Sequence, residues 1–174
     1  VLREMQRLMP NETYLYFADQ IHVPYGPRSK EEISKFSKGI VEFFFTQQVK
    51  IIVVACNTAS AAALKTLREN FPDTPFVGME PAIKPAAQNT KSGKIGVLAT
   101  PTTLQGGLYA SVVERFGNDI EIFQNACVGL VEQIELGNLS GVETKQILRD
   151  ALTPMLINNI DSIVLGCTHY PFVI

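Results

Sequence analysis

Two short stretches near opposite ends of the chain repeat one construction. Val53-Val54-Ala55-Cys56-Asn57-Thr58-Ala59-Ser60 and Ile163-Val164-Leu165-Gly166-Cys167-Thr168-His169-Tyr170 each pass from an apolar, β-branched run into a small residue, a cysteine and a hydroxyl. After the first, Thr58 to Asn70 is rich in alanine and leucine and reads as a helix. A strand, a tight turn and a helix is the implied unit. In an α/β fold both thiols then sit at the carboxyl ends of parallel strands, where open sheets of this kind bind ligands. Two cysteines in equivalent places suggest a site built from two halves.

The rest of the chain supplies the alternation that such a fold needs. After an opening half-helix with Val1, Leu2, Met5 and Leu8 at helical spacing, Tyr14 to Ala18 reads as a short buried strand that delivers Asp19 into a polar loop. That loop holds Pro24-Tyr25-Gly26-Pro27, a stiff non-helical segment. Ser29 and Glu32 have capping-box spacing, and Ile33, Phe36, Ile40, Phe43 and Phe44 trace the apolar face of a helix ending near Gln48. Strands are predicted over 51–55, 76–78, 95–99, 120–123 and 162–166. Helices are predicted over 83–89, around Leu104, Leu108 and Val112, and over 128–136. A last helix opens at Ser140, whose spacing to Glu143 repeats the capping box. This is the pattern of a parallel, doubly wound sheet. The polar Lys91-Ser92-Gly93-Lys94 segment is the expected junction of two lobes, 1–92 and 93–174.

With 174 residues, 46% of them apolar, the chain can fill the core of one ordinary domain or two small lobes. A formal net charge of −2 gives no electrostatic footprint for nucleic acid, which is excluded as the main partner. No apolar run approaches the roughly 20 residues that cross a bilayer, so no membrane association is expected. Three cysteines, an odd number, with no signal peptide, point to a reducing compartment, and the cytoplasm is the expected location. The chain opens inside a helix on Val1 and stops at Phe172-Val173-Ile174, directly after the second cysteine turn, and so reads as a fragment. It is expected to associate with another chain across its open sheet, or to be weakly stable.

A cysteine after an apolar strand is more often a small buried hydrophobe than a reagent. The matched context of Cys56 and Cys167 changes that balance. A thiol at a helix N-terminus faces the positive end of the dipole, which predicts a pKa lowered toward neutrality. Cys127 lacks this context and reads as structural. His169, two residues beyond Cys167, is a candidate proton partner, whereas His22 in the polar loop reads as structural. Asp19 and Glu135 are, by residue type alone, more often solvated than catalytic. Thr100-Pro101-Thr102-Thr103 reads as a helix cap unless it faces the thiols. Structural zinc draws on closely spaced Cys or His pairs that this chain lacks, so no metal is expected. A structural disulfide is disfavoured in a reducing compartment.

Taken together, Ala55-Cys56-Asn57-Thr58-Ala59-Ser60, Gly166-Cys167-Thr168-His169-Tyr170-Pro171 and Val23-Pro24-Tyr25-Gly26 resemble the cofactor-independent aspartate/glutamate racemase superfamily, and within it the glutamate racemases. Leu98-Ala99-Thr100 with Thr103, and Gly129-Leu130-Val131 leading to Glu135-Leu136-Gly137, agree more weakly. The resemblance implies two pseudo-symmetric α/β lobes with mainly parallel sheets and an active site in the cleft between them. It implies interconversion of L- and D-glutamate without a cofactor, feeding peptidoglycan synthesis. Cys56 and Cys167 would be the acid/base pair, with His169 and Glu135 assisting. Pro24, Tyr25, Gly26, Asn57, Thr58, Thr100, Thr103 and Thr168 would hold the substrate's charged groups. A homodimer is compatible with this reading. The family also has an initial strand ending in Asp-Ser and a final segment that this chain does not contain. Aspartate racemase, or a ligand-binding module without catalysis, are the alternatives.

Overall fold

The computed structural model describes residues 1–173 and contains two parallel sheets. The chain opens with α1 (Leu2–Leu8), which buries none of its residues. A 3-10 turn at Gln20–His22 leads to α2 (Lys30–Thr46). Here local chemistry dictates the start: Ser29 Oγ accepts the Glu32 N–H, and the Glu32 carboxylate accepts the Ser29 N–H at 2.9 Å. β1 (Ile52–Val53), α3 (Asn57–Asn70), β2 (Phe76–Val77) and α4 (Ile83–Asn89) follow. β1 and β2 pair in parallel, Ile52 opposite Phe76, and α2 and α3 pack with them around Val41, Ala63, Leu64 and Leu67.

β3 (Lys94–Leu98), α5 (Pro101–Leu104), α6 (Gly107–Phe116), β4 (Glu121–Asn125), α7 (Leu130–Glu135), α8 (Val142–Ile157) and β5 (Ser162–Leu165) form the larger part. A 3-10 turn over Tyr170–Val173 closes the described chain. The sheet order is β4-β3-β5, parallel throughout, with Ile95 opposite Ile122 and Ser162. The period-2 alternation of β3 separates two cores. Ile95, Val97 and Ala99 join Ile83, Tyr109, Val112 and Val164 on one face. Leu98 joins Leu130, Ala151, Met155, Cys167 and Tyr170 on the other. Burying both faces of a parallel sheet requires helices on both sides, which the βα alternation provides.

Three expectations are corrected. Tyr14 to Ala18 forms no strand: Leu15, Tyr16 and Phe17 are exposed and no neighbouring strand pairs with them, so β-forming residues alone do not make a sheet. The helix expected at the start is present as α1, with Leu2 and Met5 half-buried and Leu8 exposed, and Tyr14 Oη donates to the carbonyls of Met5 and Met9. The helix read around Leu104, Leu108 and Val112 is two helices, because the chain turns at Gln105-Gly106. A Cβ on Gly106 would lie 2.9 Å from Ala61 Cβ, so this glycine lets α3 approach the break. Ser140 does not cap α8: the N-cap is Gly141, with no side-chain cap bond. The turn is held instead by Asn138, whose Nδ2 donates to Gln133 Oε1, and by Thr144 Oγ1 donating to the Asn138 carbonyl.

Candidate active site

Cys56 ends the turn after β1 and is the N-cap of α3, its Sγ accepting the Ala59 N–H at 3.5 Å. One residue in the first turn of α3 anchors it. Ser60 Oγ donates to the Val54 carbonyl at 3.1 Å and accepts the Met79 N–H at 2.9 Å, tying the helix start to both strands' ends. Asn57 and Thr58 are buried beside the thiol. The Asn57 Oδ1 is the one buried side-chain oxygen without a hydrogen-bond partner among the described residues. An orphaned acceptor costs roughly 1–3 kcal/mol, which a ligand N–H would recover.

The loop of Pro24, Tyr25 and Gly26 is docked between this turn and α5. Thr102 Oγ1 donates to the Gly26 carbonyl at 2.9 Å, and a Cβ on Gly26 would meet Thr100 Cβ at 3.2 Å. Tyr25 Oη donates to Asp19 Oδ2, while His22 Nδ1 bonds Asp19 Oδ1 at 2.7 Å. The His22 ring stacks on Phe36 with centroids 3.7 Å apart, and Arg28 Nε donates to the His22 carbonyl at 2.6 Å. Burial first, then the Asp19 carboxylate and the Cys56 charge, push the Tyr25 phenol above its ordinary range, which places it electrostatically within reach of the thiol. Asp19 is thus a working member of this loop rather than a solvated group. The only trace of that role in the sequence is the three-residue spacing between Asp19 and His22, too common to be diagnostic.

The second thiol is held differently. Cys167 follows β5 and is buried, its turn drawn onto β3 by the Gly166 N–H donating to the Leu98 carbonyl at 2.7 Å. His169 Nδ1 lies 3.8 Å from Cys167 Sγ, and His169 Nε2 is 2.6 Å from Glu135 Oε1 at the end of α7. α7 is aimed there by its left-handed N-cap, Gly129 at φ 87°, a conformation that favours glycine. Thiol, imidazole and carboxylate therefore form a continuous line from the core to the half-exposed Glu135. Thr168 is half-buried in the same turn. Tyr170 is buried, its hydroxyl donating to the Ala126 carbonyl at 3.4 Å.

Thr100 is the helix cap that its sequence context suggests, and it also meets buried hydroxyls from α3 and α5. Thr100 caps α5, accepting the Thr103 N–H, and its Oγ1 is also 2.8 Å from Thr58 Oγ1. Thr103 Oγ1 is 3.0 Å from Thr100 Oγ1 and 3.3 Å from Thr58 Oγ1, closing a buried triangle of hydroxyls behind Cys56.

The expectation of a lowered thiol pKa is overturned. Burial raises the Cys56 pKa, against the opposing N–H groups of Ala59 and Thr58 and the Thr58 hydroxyl. Burial likewise drives Cys167 up to about 12, opposed by N–H groups of His169 and Tyr170 and reinforced by the Cys56 charge. The helix dipole is present at Cys56, but desolvation outweighs it. Cys127 is pushed up to about 11 by burial alone. All three cysteines are free thiols. Among the described residues no group of three or more His, Cys, Asp or Glu side chains is placed to hold a metal, and no helix is long and apolar enough to cross a membrane.

The comparisons with known proteins accord with this geometry. Residues 1–173 match the family model described as Asp/Glu/Hydantoin racemase. The chain belongs to that family. A glutamate racemase of Pseudomonas putida is 51% identical over 172 residues, covering 99% of this chain. This family member spans about 65% of the length of that relative. Among solved racemases of the family, the Escherichia coli glutamate racemase in complex with L-glutamate and the activator UDP-MurNAc-ala superposes with a TM-score of 0.84 at 36% identity, over 99% of this chain and 65% of that one. The Francisella tularensis glutamate racemase in complex with D-glutamate gives 0.81 at 32% identity, over 99% of this chain and 65% of that one. Parallel sheets in an α/β arrangement, expected from the strand-turn-helix repeats, are therefore the architecture of the family.

Proposed function

We propose that the chain carries the acid/base thiols of a glutamate racemase that works without a cofactor. The observation that carries this reading is the line Cys167–His169–Glu135, set at a strand end as Cys56 is set in the turn after β1. Inverting a carbon without a cofactor needs a base on one face and an acid on the other. One thiolate takes the α-proton and becomes a thiol. The second thiol gives its proton to the opposite face and becomes a thiolate, so charge and protons balance. With both pKa values raised the resting pair keeps both protons, so the reacting form is the minority in which one sulfur has lost its proton while the other holds one. Glu135 orients His169, and His169 moves or holds the proton at Cys167.

Pro24, Tyr25, Gly26, Asn57, Thr58, Thr100 and Thr168 are assigned to the substrate's carboxylates and ammonium, with the unpartnered Asn57 Oδ1 the natural acceptor for an N–H. The family resemblance adds Thr103 to that group. The two sheets, on 1–92 and 93–174, form two lobes with the substrate between them. The complexes of the relatives with L- and D-glutamate support glutamate as the substrate. Its product, D-glutamate, would enter peptidoglycan synthesis in the cytoplasm, and a homodimer is an assembly this reading allows.

The test is α-proton exchange in D₂O with L- and D-glutamate offered separately, for this chain and for a version extended at both ends to the length of the relatives. Deuterium incorporation with inversion is the expected result. Absence of exchange in both, with glutamate still bound, overturns the catalytic reading.

A further inference from the structure

We infer that Ser60 is a positioning residue for Cys56: its hydroxyl stands in for one rung of the β1–β2 ladder and so fixes the turn from which the thiol projects. A parallel ladder repeats every two residues. Here the Ile52 N–H donates to the Pro75 carbonyl at 3.0 Å and the Val54 N–H to the Val77 carbonyl at 2.8 Å. With Val53 opposite Val77, the next rung would run from the Met79 N–H to the Val54 carbonyl. Ser60 Oγ occupies that place instead, accepting the Met79 N–H at 2.9 Å and donating to the Val54 carbonyl at 3.1 Å.

Cys56 lies within the segment that this hydroxyl closes. Ser60 grips the chain on both sides of Ala55, with its side chain at Val54 and its N–H at the Cys56 carbonyl, 2.9 Å away. Cys56 Sγ accepts the N–H of Ala59, the residue before Ser60. The path from strand end to sulfur is therefore made of bonds at every step. Alanine at position 60 would keep the helical N–H bond to Cys56 but lose both contacts with the strands. A carbonyl and an N–H would then stand unpaired beside a side chain that is 2% exposed.

Among the described residues Ser60 is the one partner of both the Met79 N–H and the Val54 carbonyl. Glycine at position 78 makes the approach possible: a Cβ there would lie 3.3 Å from Ser60 Oγ and closer still to Leu64 Cδ2. Met79 leads into α4, whose Ile83 is buried with Val97 and Val164 of the other sheet. The hydroxyl thus fastens the thiol turn to the start of the path between the two sheets. The kinetic consequence of this inference rests on Cys56 being an acid/base group, as proposed; the placing of the thiol does not.

The experiment is iodoacetamide alkylation of this chain at pH 8, read site by site by mass spectrometry, with hydrogen exchange of the Met79 amide followed by NMR. In the parent, that amide is expected to be protected about 100-fold or more. Ser60→Ala is expected to speed Met79 exchange about tenfold and Cys56 alkylation about fivefold, because the turn opens and the burial that keeps the proton on sulfur is relieved. Cys127 and Cys167, on the side of the other sheet, are internal references expected to stay within about twofold. Ser34→Ala is the control, since it removes a hydroxyl that donates to the Ala62 carbonyl of the same helix at 3.3 Å. An unprotected Met79 amide in the parent overturns the inference. So does unchanged Cys56 alkylation or unchanged Met79 exchange in Ser60→Ala, equal acceleration of all three thiols, or a Ser34→Ala variant that matches Ser60→Ala. If circular dichroism shows Ser60→Ala unfolded, Gly78→Ala, which crowds the hydroxyl from the strand side, carries the same expectation and the same overturning results. Racemisation is assayed alongside. Absent turnover in the parent bears on the proposed function, and unmoved Cys56 alkylation bears on Ser60.

Discussion

Glu135 Oε1 and His169 Nε2 lie 2.6 Å apart, which leaves the other ring nitrogen of His169 facing Cys167. A carboxylate on one imidazole nitrogen fixes which nitrogen carries the proton, so the pair sets the tautomer presented to the thiol. His169→Asn is expected to lower kcat about 100-fold with little change in KM, the usual worth of a positioned acid/base group. Glu135→Gln keeps a hydrogen-bonding group of the same shape and is expected to cost less, about fivefold. Steady-state racemisation in both directions checks this; a larger loss for Glu135→Gln than for His169→Asn would contradict the order of the relay.

Under the proposed function, burial at both sulfurs is expected to give racemisation an alkaline slope. A base must be a thiolate, and with Cys167 pushed up to about 12 and Cys56 also raised, the thiolate fraction grows about tenfold per pH unit near neutrality. The α-proton exchange rate is expected to climb from pH 7 to pH 9. A rate already flat at pH 7 would mean that bound substrate, or residues beyond this chain, pull a thiol pKa down.

The same shift acts on stability with a definite sign. Cys167 ordinarily titrates near 9.0 and in the fold near about 12, so the folded state holds its proton more tightly. The stability this contributes is complete below pH 9 and is lost as pH rises toward 12. Cys167→Ala is expected to flatten part of the fall in urea midpoint across that window. An unchanged slope would assign the fall to the other raised groups, Cys56, Cys127 and the tyrosines.

At the acid end, Asp161 is the group to watch. Its carboxylate accepts Thr90 Oγ1 at 2.6 Å and the N–H groups of Lys91 and Ser92 at 2.6 and 2.8 Å, and these bonds hold its pKa down at about 2 against an ordinary 3.8. A depressed pKa contributes stability that is present above the ordinary value and lost as pH falls through the folded one. Asp161→Asn is expected to lower the melting temperature at pH 7 and to weaken its fall between pH 4 and pH 2. A melting temperature equal to the parent's at pH 7 would show the carboxylate to be dispensable.

Gly166 allows the turn before Cys167 to lie on β3. A Cβ there would be 2.7 Å from Ala99 Cβ and 3.1 Å from the Leu98 carbonyl oxygen, contacts that the backbone must relieve by moving. Gly166→Ala is expected to cost about 1–3 kcal/mol by urea titration, in the range of overpacking changes. It is also expected to slow racemisation, because the displaced segment carries the thiol. Full activity with unchanged stability would show that the turn has room.

What could be read from the residues was mainly what is local. The Ser29–Glu32 capping box, the helix read from Thr58 and found from Asn57, and the last strand read over 162–166 and found over Ser162–Leu165 depend on neighbours a few positions away, whereas the strand read over 51–55 is only Ile52–Val53. Tyr14 to Ala18 has the residues of a strand, yet pairing needs a partner that residue type does not specify. Ser140 has the spacing of a cap, yet Asn138 and Thr144 compete for the same turn and prevail. The thiol pKa values were misread because the dipole is visible in the order of elements, whereas desolvation depends on everything that packs around the sulfur. The Thr58–Thr100–Thr103 triangle joins residues 42 and 45 positions apart, so no local pattern announces it.

The parallel order β4-β3-β5 sorts the molecule into two rims. All three strands start near Asp161 and the Thr90–Ser92 segment and finish near Thr100, Asn125 and Cys167. A chain built this way keeps its fastening and its proposed reagents at opposite ends of the same strands. Substitutions at the starting rim will therefore register first in calorimetry and those at the finishing rim first in kinetics, which gives an engineer one end to stabilise while the other is left to be retuned.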